Sequence, residues 1–185
     1  MSNSHAVYQL RIRLTDLQPP IWRRVLVEDC TLLKFHKIIQ ASMGWDNLRM
    51  WLFEIEGKEY GDDVMDDAFE REFISARKSK LSRFIEAGTE RFQYTYDFED
   101  KWIHTIDVEK TLKADPKVKY PECIDGKRAC PPEGCGGPCG YEDFLDALSN
   151  PEDTDHELMS VWMDDEFDSE AFDLGAIHRK LAKVR

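Results

Sequence analysis

No run of about 18 apolar residues, the length a helix needs to cross a bilayer, occurs anywhere in the chain. The opening residues MSNSHAVYQ also lack the basic n-region and apolar h-region of a secretory signal. A soluble, cytoplasmic protein with no membrane partner is the expectation. Positive charge is short: 25 Lys and Arg stand against 37 Asp and Glu, a formal charge of −12. Such a balance repels a phosphate backbone and disfavours general nucleic-acid binding, so the expected partner is another protein. Internal repeats, low-complexity tracts, paired CxxC motifs and any complete catalytic motif are missing as well. An enzyme is therefore not indicated.

What is present is concentrated. Tyr120 to Tyr141, YPECIDGKRACPPEGCGGPCGY, holds four of the five cysteines, four of the eight prolines and five of the ten glycines. Pro withholds a donor and Gly gives up backbone entropy, so neither a helix nor a central strand is expected there. The spacing Cys123-x6-Cys130-x4-Cys135-x3-Cys139 suits four thiolates around one structural zinc, with glycines letting the chain wrap tightly. It is not the paired spacing of zinc ribbons, and two readings stand: a zinc or other thiophilic ion on these four residues, or free or partly oxidised thiols. His104 and His156 are the substitutes if one ligand is not Cys. A catalytic thiol is disfavoured, because Lys127 and Arg128 are the neighbours and no His lies near. Cys30 reads as a small buried apolar residue.

At 185 residues the length fits a single domain over 1–185, divided into a body over 1–119, the Cys/Gly/Pro loop over 120–141 and a helical annex over 142–185. Acid is gathered in the annex, where residues 141–185 hold 13 acidic and 4 basic groups. Val7 to Leu14 alternates as a strand, Thr15 to Pro20 turns, and Ile21 to Val27 returns. Thr31 is placed to cap a helix with Leu32, Phe35, Ile39 and Met43 as its apolar stripe and Gly44 as its stop. Met50 to Glu56 is a third strand. This β-β-α-β order opens an α+β fold with a mixed sheet of the β-grasp or ubiquitin-like kind, or an α/β roll.

Ser79 to Ile85 reads as a short helix. Asp62, Asp63, Asp66 and Asp67 form a carboxylate cluster without the Gly and Glu of an EF-hand loop, and a solvated loop is the simpler reading. Arg71, Arg77, Lys78, Lys80, Arg83 and Arg91 are the gathered basic groups, read as a charged exposed face. In Arg91 to Thr111, Phe92, Tyr94 and Tyr96 alternate against Trp102, His104 and Ile106, the clearest hairpin of the chain. His104 in that row reads as a hydrogen-bonded core residue, and Asp97 and Asp100 as turn caps. Beyond the loop, Tyr141, Phe144, Leu145 and Leu148 form one helical face. Asp155 to Met163 forms a second helix, followed by the acidic patch Asp164, Asp165, Glu166 and Asp168. Asp173 caps a third carrying Leu174, Ile177, Leu181 and Val184.

The run Tyr96-Asp97-Phe98-Glu99-Asp100-Lys101-Trp102-Ile103-His104 resembles the YDFGDxWxH signature of the plasmid pRiA4b ORF-3-like family, of the MM3350-like superfamily. Tyr120 to Gly126, Pro131 to Gly137 and Gly140-Tyr141 are similar to its acidic-proline-glycine loop ending in GY. Thr31 to Trp45 resembles its first helix ending in GW, and Phe167 to Asp173 its FDPExFD box. Glu99 stands at the usual Gly, Gly134 at the usual Asp and Ser169 at the usual Pro. Histidine, frequent in the family near Arg49 to Phe53, is absent. The Glu99 difference predicts a changed turn or a non-Gly residue at an awkward φ. The resemblance implies an α+β domain of no established activity, with a transposon-resolution label on some relatives. From these readings the expected function is a non-enzymatic binding or adaptor module with the Cys-rich loop as a structural staple. The alternative is a DNA-transposition- or resolution-associated protein, metal-dependent through Asp97, Asp100 and His104.

Overall fold

Alternating polarity at the start of the chain becomes β1 (Ala6–Leu14), with Leu10, Ile12 and Leu14 buried and Gln9, Arg11 and Arg13 half-buried on the opposite face. The computed structural model describes residues 6–62, 73–150 and 167–184. After the Asp16–Pro20 turn, β2 (Trp22–Glu28) pairs back antiparallel, with Leu10 opposite Val25. Thr31 caps α1 (Leu32–Met43), its hydroxyl accepting the Lys34 N–H at 3.2 Å, and Gly44 ends the helix in the left-handed region at φ 104°. The hairpin of β3 (Trp51–Ile55) and β4 (Lys58–Gly61) follows, then β5 (Ile74–Ser75), α2 (Leu81–Ile85), β6 (Arg91–Tyr96) and β7 (Trp102–Lys113). Last come β8 (Glu122–Lys127), α3 (Gly137–Ser149) and α4 (Leu174–Leu181).

Among the described residues these strands form one eight-stranded mixed sheet, ordered β5-β4-β3-β6-β7-β1-β2-β8, in which only β4 and β5 run parallel. The class is α+β and the β-β-α-β order is present. Within the sheet, however, β3 is separated from β1 by the β6–β7 hairpin. That hairpin has the register its alternation predicts, with Phe92, Tyr94 and Tyr96 opposite Ile106, His104 and Trp102. Its buried face receives α1: the Phe35 ring stacks on Phe53 at 5.7 Å and meets Phe92 at 6.3 Å. In turn α4 packs on α1 and β8, and Ile177 and Leu181 join Tyr141 and Phe144 of α3 in the same core as the sheet.

Two expectations need correction. The Cys/Gly/Pro stretch avoids the centre of the sheet, but it does enter a helix, because Gly136 caps α3 and Pro138 falls in the first turn. There the missing N–H of Pro has no intrahelical partner to lose. At the β6–β7 turn it is not Glu99 that takes a positive φ but Asp97 and Lys101, at 58° and 54°. Asp62 pairs with Arg77 at 3.1 Å, while Asp63, Asp66, Asp67, Arg71, the 155–163 segment, the 164–166 acids and His156 lie outside the described residues.

Candidate functional site

Trp45 follows the left-handed Gly44, which turns the chain off α1 and lays the indole against the β6–β7 hairpin. Its ring stacks on Tyr96 at 4.9 Å, meets His104 edge-on at 5.4 Å, and its Nε1 donates to the carbonyl of Pro131 at 2.9 Å. Glu133, two residues after Pro131, accepts from the Tyr96 hydroxyl and, at 2.8 Å, from the Asp46 N–H. The Tyr96 oxygen also accepts the N–H groups of Leu48 at 3.0 Å and Arg49 at 3.2 Å. Loss of solvation first, and then the bond to Glu133, push the Tyr96 phenol well above its ordinary value. The 44–49 loop is thus held from both sides, by the hairpin and by the Cys/Gly/Pro segment.

Behind that loop runs a directed hydrogen-bond relay. Gln40 Nε2 can only donate, and it gives to the Tyr94 hydroxyl at 3.0 Å. Tyr94 then donates to Nδ1 of His36 at 2.7 Å, leaving Nε2–H of His36 to donate to Asn47 Oδ1 at 2.6 Å. His36 stacks on Trp51 at 4.0 Å, and burial pushes its imidazole down to about 3, so it stays neutral. Both ends of the relay, Gln40 and Asn47, line a cleft of about 350 Å³ bordered also by Lys37, Trp45, Lys180 and Lys183. Ala41 and Val184 give it an apolar wall. Lys180 Nζ donates to the Gly44 carbonyl and lies 4.0 Å from Asp46.

The residues singled out in the sequence fall elsewhere. His104 is 0% exposed, donates from Nδ1 to the Trp102 carbonyl at 2.9 Å and is pushed down to about 4 by burial. Asp97 Oδ1 accepts the N–H groups of Glu99 at 3.0 Å and Asp100 at 3.3 Å, the turn cap its sequence position predicts. Asp100 receives the Gly136 N–H instead, so Asp97, Asp100 and His104 do not converge on an open pocket. None of the five cysteines is joined in a disulfide. Cys123 is buried on β8 and points its thiol at the Asp125 carbonyl, Cys130 and Cys135 are half-buried, and Cys139 is exposed in the first turn of α3. Burial pushes the Cys130 thiol up and that of Cys135 up to about 12. Among the described residues no three His, Cys, Asp or Glu side chains are grouped to hold a metal ion, and no helix is long and apolar enough to cross a membrane. Among the basic residues, Arg77, Lys80 and Arg91 are paired with Asp62, Asp29 and Asp107.

Sequence reasoning missed His36, Gln40 and Asn47. The available signal was the pair His36 and Gln40, two polar residues four apart inside the apolar stripe of α1, which must share a buried face and therefore need partners.

A curated relative, the uncharacterised protein y4hQ of Sinorhizobium fredii (strain NBRC 101917 / NGR234), is 33% identical over 177 residues, covering 94% of this chain and 90% of its own. The crystal structure of the protein of unknown function MM3350 from Methanosarcina mazei Go1 superposes with a TM-score of 0.85 at 36% identity, over 92% of this chain and 97% of that one. Three of the segments that carry the family resemblance, Thr31 to Trp45, Tyr96 to His104 and Pro131 to Gly137, meet around Trp45, Tyr96 and Glu133, and the family's sequence pattern matches residues 6–176. The chain belongs to the plasmid pRiA4b ORF-3-like protein family.

Proposed function

We propose that this chain is a non-enzymatic binding module whose ligand site is the cleft between α1 and the end of α4. The Cys/Gly/Pro segment is the staple that fixes the cleft's loop through Pro131 and Glu133. The observation that carries the reading is the relay Gln40–Tyr94–His36–Asn47, which starts and ends at the cleft. Such a relay orients two amides at a binding surface, and it does so through groups closed to water. General acid–base catalysis calls for a side chain that titrates near the working pH and reaches the substrate. His36 and His104 are both buried and held neutral, which favours binding over turnover.

The transposition-associated alternative needs Asp97, Asp100 and His104 around a divalent metal, and the cap at Asp97 and the sealed His104 speak against it. A structural zinc on Cys123, Cys130, Cys135 and Cys139 enters the proposal as one form of the staple, the other being packed thiols. Two-dimensional ¹H–¹⁵N spectra recorded with a panel of small metabolites test the reading. Shifts confined to Gln40, Asn47 and the 44–49 loop, with no panel member converted, are expected. Conversion of any member, or a panel that leaves those signals unmoved, would overturn it.

A further inference from the structure

We infer that the chain pairs with a second copy of itself about a twofold axis, each copy seating its Leu48 on the apolar wall of the other's cleft, formed by Ala41 and Val184. The inference goes beyond the reading of the cleft as a ligand site, since it names what covers that cleft.

Exposure is the first argument. Leu48 is 76% exposed, whereas Met50, Ile74, Leu112 and Ile124, the other large apolar side chains at the surface among the described residues, stand between 37% and 42%. A single half-exposed apolar residue is ordinary in a monomer. A leucine held mostly clear of its own protein, with Met50 two residues on, is what a contact surface presents.

The second argument is the support beneath it. The Asp46 N–H donates to Glu133 at 2.8 Å, and the Leu48 and Arg49 N–H groups donate to the Tyr96 hydroxyl at 3.0 and 3.2 Å. The Met50 carbonyl accepts the Asp97 N–H at 2.8 Å, and Asn47, at φ 59°, is fixed through its side chain to His36. The turn that carries Leu48 is therefore pinned on either side of the one side chain it displays. A protrusion ordered before contact loses little further entropy on binding, as a hot-spot anchor requires.

The third argument selects the second copy as the occupant. Trp45, Asp46 and Asn47 border the cleft, so protrusion and recess lie side by side on one surface. Such a surface is self-complementary under a twofold rotation, because each protrusion meets the other copy's recess. Charge agrees: the Asp46 side chain beside the protrusion is 76% exposed, while Lys37, Lys180 and Lys183 border the recess. In a chain of formal charge −12 most faces repel a second copy, and this one offers cations to the partner's Asp46.

Sedimentation equilibrium of the full-length chain over a concentration series tests the pairing, and a reversible monomer–dimer equilibrium is expected. Leu48→Asp, at an exposed position, leaves the urea midpoint of the monomer unchanged. It weakens the dimer about 10-fold or more, the scale of withdrawing a buried leucine. Asp46→Lys and Lys183→Glu each weaken it as well. An equimolar mixture of those two variants associates more tightly than either alone, since one contact of the mixed pair keeps its native charges and the other has them exchanged. Ion pairing within one chain cannot give that result. A monomer at every concentration overturns the inference, as does a dimer that Leu48→Asp leaves unchanged, or a mixture no tighter than its components. A monomer whose Gln40 and Asn47 signals still move with a small molecule loses this inference and keeps the ligand reading. A dimer of the expected behaviour in which no small molecule moves them does the reverse.

Discussion

Tyr96 donates its hydroxyl proton to the carboxylate of Glu133, and through that bond the β6–β7 hairpin grips the Cys/Gly/Pro segment 37 residues further along the chain. The same oxygen accepts two backbone N–H groups of the 44–49 loop. Tyr96→Phe therefore strands three partners and should cost about 1–3 kcal/mol, whereas Glu133→Gln keeps an acceptor and should cost about 1 kcal/mol. Urea unfolding of the two single variants and the double variant measures the coupling, expected at about 0.5–3 kcal/mol. Simple additivity would mean that the bond does not join the two segments.

His36 and His104 make stability depend on pH in a defined direction. Their imidazoles are held at about 3 and about 4 in the fold, against about 6.5 in an unfolded chain. Below about 6.5 the unfolded state binds protons that the native state refuses, so the contribution is fully present above that pH and is lost as pH falls toward 4. Each group adds a slope of about 1.4 kcal/mol per pH unit within that window. Native-state ¹H spectra should show two imidazole signals that do not titrate between pH 8 and 5. Ordinary titration of both would refute the assignment.

Local chemistry was readable before any coordinates. The caps at Thr31 and Asp173 and the stop at Gly44 depend on side chains within three residues of their targets, and the β6–β7 register follows from a period of two. The place of β3, beyond β6 and β7 and away from β1, depends on pairings between distant segments that no window of sequence contains. The helical entry at Gly137-Pro138 was hidden because Gly and Pro are breakers inside a helix and tolerated in its first turn. Least legible was the cleft, since Lys180 and Lys183 come to face Lys37 and Gln40 only when α4 docks on α1.

Glycines in the staple differ in what they can accept. A Cβ on Gly140 would lie 2.0 Å from the Cys135 carbonyl oxygen, and one on Gly137 would lie 2.4 Å from the Asp100 carbonyl oxygen, at φ +73°. Gly134, at φ +79°, has nothing within 4 Å. Gly134→Ala should therefore cost only the left-handed backbone, about 1–2 kcal/mol. Gly140→Ala forces the backbone apart, which costs about 1–3 kcal/mol, and Gly137→Ala carries both penalties. Thermal melts should rank Gly137→Ala as the most destabilised. If Gly134→Ala melts lowest, the staple does not pack as described.

The staple's two forms differ in a count of thiols. Thiolate is the reacting species, and burial holds the thiols of Cys30 and Cys135 up to about 12, with those of Cys123 and Cys130 raised as well. Cys139 is the exposed one. With packed thiols, an aromatic disulfide reagent added to the native chain should label Cys139 in a fast phase, the half-buried Cys130 and Cys135 slowly, and Cys30 and Cys123 only after denaturation, and Cys139→Ser should abolish the fast phase. A four-thiolate zinc on Cys123, Cys130, Cys135 and Cys139 would require Cys139 to turn inward. It would suppress the fast phase, give one zinc per chain on elemental analysis, and make chelation or Cys123→Ser lower the melting temperature. The packing buries Cys30 and Cys123, half-buries Cys130 and Cys135 and leaves Cys139 exposed, so a fast phase from Cys139 alone is the expected outcome. Its absence together with stoichiometric zinc would convert the staple into a metal clamp.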